Sequence, residues 1–303
     1  MPAVGFIGLG RMGKPIAERL NSGCDQLIVC SRTGSAAQHF ADRVGALVAE
    51  SPAAVARQSD IVFVMVTNPS LSRQVLLGTE GVIEGARPGA VVFDMGTIGP
   101  EDAKSYAAEF RGMGVTFFDA PVSGTVDSAA RGELLMMIGG DKDIARRISP
   151  QLDLFTSAIM YMGTNGAGAA TKLAVNLAVY ALAVGVVESL SLIEAAGIDK
   201  RAFLPVLEQS AVGAPLISHR REAFLDPDAE PVRFPLYGVE TDLSLILQAA
   251  KAGSLQLSQT TCNLGVVRRA IAAGHGSEDL ASLTKPQITN AGDPAFLPVT
   301  KEL

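Results

Sequence analysis

The chain has 303 residues, of which 48% are hydrophobic and 18% charged, and its formal net charge at pH 7 is −6. This length predicts two domains, and the apolar content is enough for a large core. The negative charge argues against a nucleic-acid partner, because nucleic-acid binding usually needs a basic face. Three cysteines without metal-ligand spacing, Cys24, Cys30 and Cys262, and a first strand that begins by Val4 predict a reduced, cytoplasmic protein without a signal peptide.

The first half of the chain alternates short apolar runs with helical stretches. The runs predicted as strands are Val4–Ile7, Leu27–Cys30, Ile61–Val66, Ala90–Phe93, Val115–Asp119 and Leu134–Ile138. Strands that alternate with helices form parallel sheets through crossover connections. The pattern therefore predicts an α/β fold whose N-terminal domain, residues 1–163, is a doubly wound Rossmann sheet.

The second half, residues 164–303, is predicted to be an all-α domain for substrate binding and oligomerisation. A long apolar helix starting near Gly168 would link the two domains, and a shorter helix would end at Gly197. Three further helices are predicted, and the rest is expected to be irregular or extended. Those helices are Lys200–Ser210, Leu243–Ala252 and Ser258–Ala273, with an irregular segment at Ala211–Leu236 and an extended, proline-containing tail from Lys285.

The long helix is apolar nearly all round, from Leu173 to Ile193. Such a helix is buried either in a large core or in an interface between subunits. Glu188 and Glu194 interrupt the apolar run, and no cluster of lysine or arginine flanks it, so we expect no membrane span. The helix favours a homo-oligomer, and a core formed within one chain is the alternative.

A glycine-rich hexamer, Gly8-Leu9-Gly10-Arg11-Met12-Gly13, follows the first predicted strand and opens a helical stretch. In this context Gly8 permits a tight turn, Gly10 allows a pyrophosphate to approach the backbone, and Gly13 allows close packing of helix and strand. The helix N-terminus would then attract the phosphates, with Arg11 and Met12 beside them. The alternative is a glycine-rich turn that binds nothing.

The second strand leads into Ser31-Arg32-Thr33. Proteins that bind NAD usually carry Asp or Glu here, which accepts hydrogen bonds from the ribose hydroxyls. A guanidinium can instead bind a 2′-phosphate with two parallel hydrogen bonds, and the two hydroxyls can add donors. The sequence therefore favours NADP as the cofactor, although Arg32 could also be an ordinary surface residue.

Lys172 and Asn176 are polar residues near the start of the long apolar helix. Positions i and i+4 lie on one face of a helix, so the two side chains point the same way. A lysine in apolar surroundings can exchange a proton near neutral pH. The pair predicts proton transfer; a solvated lysine and a satisfied core amide are the structural alternatives.

Four stretches carry a resemblance to a known family: Phe6–Gly13, Asp119–Thr125, Gly163–Asn176 and Glu240–Leu243. In this order they are similar to the cofactor signature, the substrate-binding motif, the catalytic motif and the C-terminal cofactor-contacting motif of the β-hydroxyacid dehydrogenases. That family includes 3-hydroxyisobutyrate dehydrogenase, tartronate semialdehyde reductase and glyoxylate/succinic semialdehyde reductases. The resemblance covers nearly the whole chain, and related proteins assemble as dimers or tetramers.

The resemblance implies roles for individual residues. Lys172 would be the general acid that protonates the carbonyl oxygen, and the base in the reverse direction, with Asn176 positioning the lysine or the substrate. Ser123 and Gly124 would bind the carboxylate of a small anionic substrate. The remaining cofactor contacts would come from Val66 and Thr67 on the adenine side, Thr97 near the nicotinamide ribose, and Thr241 and Asp242 in the C-terminal motif.

Three positions depart from the family pattern. Thr125 stands where a second glycine is usual, so its side chain would narrow the substrate pocket or add a hydroxyl contact there. Thr241 replaces the lysine of the usual Lys-Asp-Leu, and Gly96 replaces a common serine. These departures bear on the identity of the substrate more than on the type of reaction.

The preferred hypothesis is an NADP-dependent dehydrogenase or reductase acting on a small 3-hydroxy acid or its semialdehyde. An imine reductase is the second hypothesis, but those proteins usually lack the lysine. A catalytically silent binding module is the third, and the retained Lys172, Ser123 and Asn176 argue against it. No metal site is predicted, because the acidic residues lack ligand spacing.

Overall fold

A computed structural model describes residues 1–285. The chain divides into two compact units, one formed by Met1–Val175 and the other by the residues from Asn176 onward. The change from one unit to the other falls inside a single long helix. The boundary predicted at residue 163 stays a prediction, and the extended tail predicted beyond Lys285 lies outside the described residues.

The first unit is built on a nine-stranded sheet with the order β3-β2-β1-β4-β5-β6-β8-β7, in which β9 pairs with β8. Strands β1 to β6 pair in parallel, whereas β8 is antiparallel to both β6 and β7. The strands are β1 (Ala3–Ile7), β2 (Gln26–Cys30), β3 (Leu47–Val48), β4 (Ile61–Val64), β5 (Val91–Asp94), β6 (Thr116–Asp119), β7 (Val122–Ser123), β8 (Leu134–Gly139) and β9 (Thr156–Gly163).

Helices cover both faces of this sheet, as the alternation of strands and helices predicts. The helices of the first unit are α1 (Gly13–Asn21), α2 (Gly34–Val44), α3 (Pro52–Arg57), α4 (Pro69–Leu77), α5 (Val82–Gly85), α6 (Pro100–Gly112), α7 (Val126–Arg131) and α8 (Lys142–Leu152). They are followed by α9 (Ala167–Ala195), which continues into the second unit.

The central strands β1, β4, β5 and β6 bury both of their faces, so the sheet has two apolar cores. Phe63 and Phe93 lie on one face, where their rings stack with centroids 5.0 Å apart, and Phe118 extends the stack at 4.7 Å from Phe93. Val62 and Phe117 belong to the other face. Side chains alternate between faces along a strand, so a near-continuous apolar run is what a strand covered on both sides requires.

The second unit is helical over the residues that the structure describes, up to residue 285. Besides the later part of α9 it contains α10 (Lys200–Gln209), α11 (Pro215–His219), α12 (Arg221–Leu225), α13 (Leu236–Ala252) and α14 (Ser258–Ala270). A π-helical turn, Ile271–His275, and a 3₁₀ turn, Leu280–Thr284, follow. The fold class is thus confirmed: a Rossmann sheet followed by helices.

Within residues 1–285, only α9 is long and apolar enough to cross a membrane by length and composition. Core helices of soluble proteins pass the same criterion, and 44% of its most apolar stretch is buried in the single chain. No group of three or more metal-ligating side chains occurs in the same part of the chain.

The structure corrects several predicted boundaries. The long helix runs unbroken to Ala195, so the separate shorter helix was wrong, although Gly197 does follow its end with φ +75°. The segment predicted as irregular contains α11 and α12, and α14 ends in a π-helical turn. Three strands were missed: β3 and β7 have two residues each, and β9 exposes three consecutive large side chains from Met160 to Met162, which hides its alternation.

Helix α13 begins seven residues earlier than predicted, at Leu236. Gly238 lowers the helix propensity there, but tertiary hydrogen bonds compensate. The backbone N–H of Leu236 donates to the carbonyl of Glu278 at 3.0 Å, and that of Tyr237 donates to Gly276 at 3.0 Å. These bonds satisfy amides that a helix start leaves unpaired, and the partners are distant in sequence.

Candidate active site

The predicted phosphate loop joins β1 to α1 and has the geometry that its glycines require. Gly8 has φ +105°, and a Cβ there would lie 2.1 Å from the carbonyl oxygen of Met65. A Cβ on Gly13 would lie 1.9 Å from the carbonyl oxygen of Gly8, so this glycine allows the helix to pack on the turn. Glycine is therefore required at Gly8 by contact with the residue that follows β4, and at Gly13 by packing within the loop.

Gly10 differs, because a Cβ there would meet no atom within 4 Å. Helix α1 begins close to it at Gly13, its N-cap residue Met12 provides no side-chain hydrogen bond, and its first turn contains no acidic residue. The exposed Arg11 lies between them on the same turn. A helix N-terminus of this kind can hold an anion, so the loop fits a pyrophosphate group.

Ser31, Arg32 and Thr33 connect β2 to α2 beside this loop. Gly8 is tied to the same strand end, since its N–H donates to the carbonyl of Cys30 at 2.9 Å. Arg32 and Thr33 are exposed. Thr33 precedes α2 as its N-cap residue without a side-chain hydrogen bond to the helix, and the first turn of α2 has no acidic residue. The loop therefore offers positive charge and hydroxyl groups to a ligand.

Two further loops leave the same carboxyl edge of the sheet. Val66 and Thr67 follow β4, and Thr97 follows β5 at a half-buried position. The Thr97 loop is held by Asp94, whose Oδ1 accepts the Gly96 N–H at 2.9 Å, while the hydroxyl of Ser72 donates to the other carboxylate oxygen. Burial raises the pKa of Asp94 to about 6, despite these hydrogen bonds.

The predicted substrate-binding residues follow β6. Ser123 is half-buried at the end of β7, and Gly124 has φ +144°, a conformation that favours glycine. The Thr125 hydroxyl caps α7, because its Oγ1 accepts the N–H of Ser128 at 3.1 Å. At this departure from the family pattern, the added hydroxyl is therefore engaged in a helix cap.

Lys172 lies in the second turn of α9 and is half-buried. The preceding turn is shaped by Gly163 and Gly166, with φ +139° and +94°. Asp119, at the end of β6, accepts hydrogen bonds from the N–H groups of Gly166 and Ala169, both at 2.9 Å. The helix that carries Lys172 thus starts at the carboxyl edge of the sheet, where the loops after β1, β2, β4 and β5 also lie.

Asn176 is buried one turn further along α9, in the second unit. Its amide Nδ2 donates to Oδ2 of Asp242 at 2.8 Å, and the hydroxyl of Tyr180 donates to the same oxygen at 2.6 Å. Burial, together with the Asp242 carboxylate, raises the pKa of Tyr180 well above its ordinary value, so it remains a donor. Thr241 lies beside Asp242, but its hydroxyl donates to the carbonyl of Tyr237 at 2.9 Å.

Sequence reasoning missed Tyr180 and the anchoring role of Asp119. A signal for Tyr180 existed, because it stands four residues after Asn176 in an otherwise aliphatic stretch. Asp119 was noticed only as the first residue of a motif. No local pattern shows that its carboxylate reaches a helix that starts 48 residues later.

Family models match both parts of the chain. Residues 3–163 match the NAD binding domain of 6-phosphogluconate dehydrogenase, and residues 166–287 match the model described as the NAD-binding of NADP-dependent 3-hydroxyisobutyrate dehydrogenase. The fold and its glycine-rich loop therefore define an oxidoreductase that uses a nicotinamide dinucleotide. The chain belongs to the 3-hydroxyisobutyrate dehydrogenase-like family of β-hydroxyacid dehydrogenases, which confirms the resemblance seen in the four motifs.

Individual proteins agree with this assignment. The 3-sulfolactaldehyde reductase of Escherichia coli is 31% identical over 96% of this chain and 98% of its own length. The 2-hydroxy-3-oxopropionate reductase of the same organism is 33% identical over 86% and 88%. The solved structure of 3-hydroxyisobutyrate dehydrogenase from Salmonella typhimurium has a TM-score of 0.84 and 29% identity over 93% and 99%. The protein is accordingly an NAD(P)-dependent hydroxyacid dehydrogenase.

Proposed function

We propose that this protein interconverts a small 3-hydroxy acid and its semialdehyde with NADP(H), with Lys172 as general acid and base. The observation that carries the proposal is the placement of Lys172 on a helix anchored to the sheet edge from which the phosphate loop and Ser123 also extend. A proton donor, a phosphate cradle and an anion-binding turn are the parts that such a reduction needs.

The Nζ of Lys172 would donate a proton to the substrate oxygen. When bound, the nicotinamide supplies or accepts the hydride, and the negative charge that develops on the carbonyl oxygen requires a proton or a cation nearby. A lysine can provide either. In the direction of oxidation the neutral amine would take the hydroxyl proton.

The substrate class follows from the Ser123 turn and from the relatives. The Ser123 hydroxyl and the backbone around Gly124 offer hydrogen-bond donors suited to a carboxylate or a similar anionic group. Two relatives bear the names 3-sulfolactaldehyde reductase and 2-hydroxy-3-oxopropionate reductase, and both substrates are short aldehydes with an acidic group. These similarities support a small anionic substrate for this chain.

The preference for NADP is supported by the loop after β2. Arg32 is exposed at the position where a carboxylate would select NAD, and the first turn of α2 is free of acidic residues. We expect Arg32→Ser to lower kcat/KM with NADPH by roughly 10- to 100-fold, because a charge-assisted contact to the 2′-phosphate is lost, and to leave kcat/KM with NADH nearly unchanged. A wild-type enzyme that prefers NADH would contradict the proposal.

The decisive experiment compares Lys172→Ala with the wild type in NADPH oxidation. The substrates would be succinic, tartronate and methylmalonate semialdehydes and glyoxylate, with 3-hydroxyisobutyrate for the reverse direction. We expect kcat to fall by roughly 10²- to 10⁴-fold while NADPH binding, measured by fluorescence titration, survives. Lys251→Ala, a change at an exposed lysine on α13, is the matched control and should behave as the wild type does.

Three outcomes would count against the proposed activity. Unchanged turnover by Lys172→Ala would remove the assigned mechanism. Turnover of a cyclic imine, without turnover of any aldehyde acid, would favour the imine reductase hypothesis. Absence of any turnover in a wild-type protein that binds NADPH would favour the binding module.

We further propose a cytoplasmic homo-oligomer, a dimer or tetramer, that contacts neither nucleic acid nor membrane. Exposed residues recur along one side of α9, at Ala170, Ala174, Ala178, Gly185, Glu188 and Leu192, and Leu192 is 72% exposed. Residues at such intervals share one side of a helix, and a side of this length with Glu188 as its one charged residue is suited to contact with a second copy. Light scattering should give two or four times the mass of one chain, and a monomer would contradict this proposal.

A further inference from the structure

The start of α9 is capped by a residue that is distant in sequence. A helix start leaves several N–H groups without partners, and a side chain just before the helix usually accepts from them. Here the acceptor is Asp119, which lies 47 residues before Gly166 and 50 before Ala169. Each of its two oxygens accepts one N–H, so the carboxylate fixes both the axial position and the rotation of the first turn.

Asp119 is itself rigidly held. It is fully buried at the end of β6, where it pairs with Asp94 of β5 and with Gly139 of β8. The N–H of the following residue, Ala120, donates to the carbonyl of Asp94 at 2.8 Å. The sheet therefore fixes the position of the carboxylate to which the helix is attached.

Close backbone contact leaves the helix little room to move. A Cβ on Gly168 would lie 2.4 Å from the carbonyl oxygen of Asp119 and 2.6 Å from that of Met137. A Cβ on Gly139 would lie 2.7 Å from the Asp119 carboxylate. The first turn of α9 thus rests directly on the ends of β6 and β8, and glycine is required on both sides of the contact.

Asn165 provides a second attachment of the same turn. Its side-chain amide donates to the carbonyl of Phe117, in β6, at 2.9 Å. The side chain that stands two residues before the helix is therefore used to bind the turn to the sheet, and the cap is left to Asp119. Lys172 stands three positions after Ala169, which corresponds to about 4.5 Å along the helix axis.

We propose that Asp119 is a positioning residue for the reaction, which holds the N-terminus of α9 so that Lys172 meets the substrate oxygen, with Asn165 as a weaker second anchor. The inference rests on the proposed function, in which Lys172 is the proton donor. Asp119 acts through the helix and needs no contact with substrate or cofactor.

Proton transfer is sensitive to such placement, because donor and acceptor must come within hydrogen-bond distance. A displacement of about 1 Å can lower a rate by about 100-fold. Asp119→Asn retains the shape and one acceptor oxygen, but its NH₂ group would face one of the two N–H donors. The first turn would then lose one attachment and be pushed away at that point.

The test measures kcat, the solvent deuterium isotope effect on kcat, NADPH affinity and the melting temperature of the full chain. Asp119→Asn should lower kcat by roughly 30- to 100-fold, raise the isotope effect because proton transfer becomes slower, and leave NADPH affinity within about threefold. Asn165→Ala should change kcat and the isotope effect in the same directions but less. A purely structural loss would reduce the amount of active enzyme and leave the isotope effect unchanged.

Asp94→Asn is the matched control on the neighbouring strand. Asp94 holds the Gly96 amide and Ser72 and is not attached to α9, so its replacement should weaken NADPH binding and leave the isotope effect unchanged. If Asp119→Asn does not fold, Asn165→Ala decides by the same criteria. Unchanged kcat and isotope effect in the folded variants, with Lys172→Ala inactive, would overturn this inference alone; full activity of Lys172→Ala would overturn the proposed function itself.

Discussion

Two glycine-rich turns of the first unit look alike in sequence, but they differ in whether a side chain of the protein binds the first N–H groups of the helix that follows. The turn at Gly8–Gly13 leads into α1, whose start has no side-chain cap and whose Gly10 faces open space. The turn at Gly163–Gly168 leads into α9, whose first amides are bound by the Asp119 carboxylate. One helix start is open to a phosphate, and the other is closed by the protein's own anion.

The difference shows that a strand, a glycine-rich turn and a helix do not by themselves make an anion site. A helix start can bind an anionic ligand only when no carboxylate of the same chain already accepts its N–H groups. At α1 Gly10 leaves space for a ligand, whereas at α9 Gly168 allows the helix to contact the sheet. The first turn therefore serves binding, and the second serves the placement of a side chain.

The largest expected effect concerns the turn at Gly163–Gly168, where Asp119 binds the start of α9. Gly168→Ala should lower the free energy of unfolding by roughly 3 kcal/mol or more, because the new methyl group would overlap backbone oxygens of Asp119 and Met137 that cannot move aside. Urea unfolding of wild type and variant would measure this change in the free energy of unfolding. Gly112→Ala, at the end of α6 where a Cβ meets no atom within 4 Å, is the control and should change stability by less than about 1 kcal/mol. Equal stability of the two variants would contradict the close contact.

A second effect comes from the carboxylate beside Asp119. The pKa of Asp94 is raised from 3.8 to about 6, so the folded protein binds a proton that the unfolded chain has already released. Its contribution to the free energy of unfolding should fall by about 3 kcal/mol as the pH rises from about 4 to about 6, and stay constant above that. Comparison of wild type and Asp94→Asn by urea unfolding across this range isolates the contribution. A difference between the two that does not change with pH would show that Asp94 titrates normally.

The smallest expected effect separates NADPH binding from protein stability at the turn Gly8–Gly13. Gly10→Ala should leave the melting temperature unchanged and raise the KM for NADPH by about tenfold or more, because its methyl group would occupy the space that a pyrophosphate needs. Gly13→Ala places a Cβ 1.9 Å from the Gly8 oxygen and should lower the melting temperature as well. If Gly10→Ala bound NADPH as the wild type does, the open turn would not be the phosphate site.

The sequence by itself determined the elements whose signals are local. A near-continuous apolar run followed by Gly8, Gly10 and Gly13 predicts a strand, a turn and a helix, because the run and the glycine spacing lie within a few consecutive residues. The contact that excludes a Cβ at Gly8, with the distant Met65, is not visible in the sequence. The alternation of strands and helices predicts the doubly wound sheet for the same reason. The apolar length of α9 and the i, i+4 pair of Lys172 and Asn176 are likewise visible without coordinates.

Only the tertiary structure decided which polar groups become partners. Asp119 meets the N–H groups of α9 because β6 lies beside β8 in the sheet, and Asp242 meets Asn176 and Tyr180 although more than 60 residues separate them. The early start of α13 at Leu236 also depends on distant carbonyl groups. Hydrogen bonds of this kind are formed by neighbours in space, and a linear pattern records only neighbours in sequence.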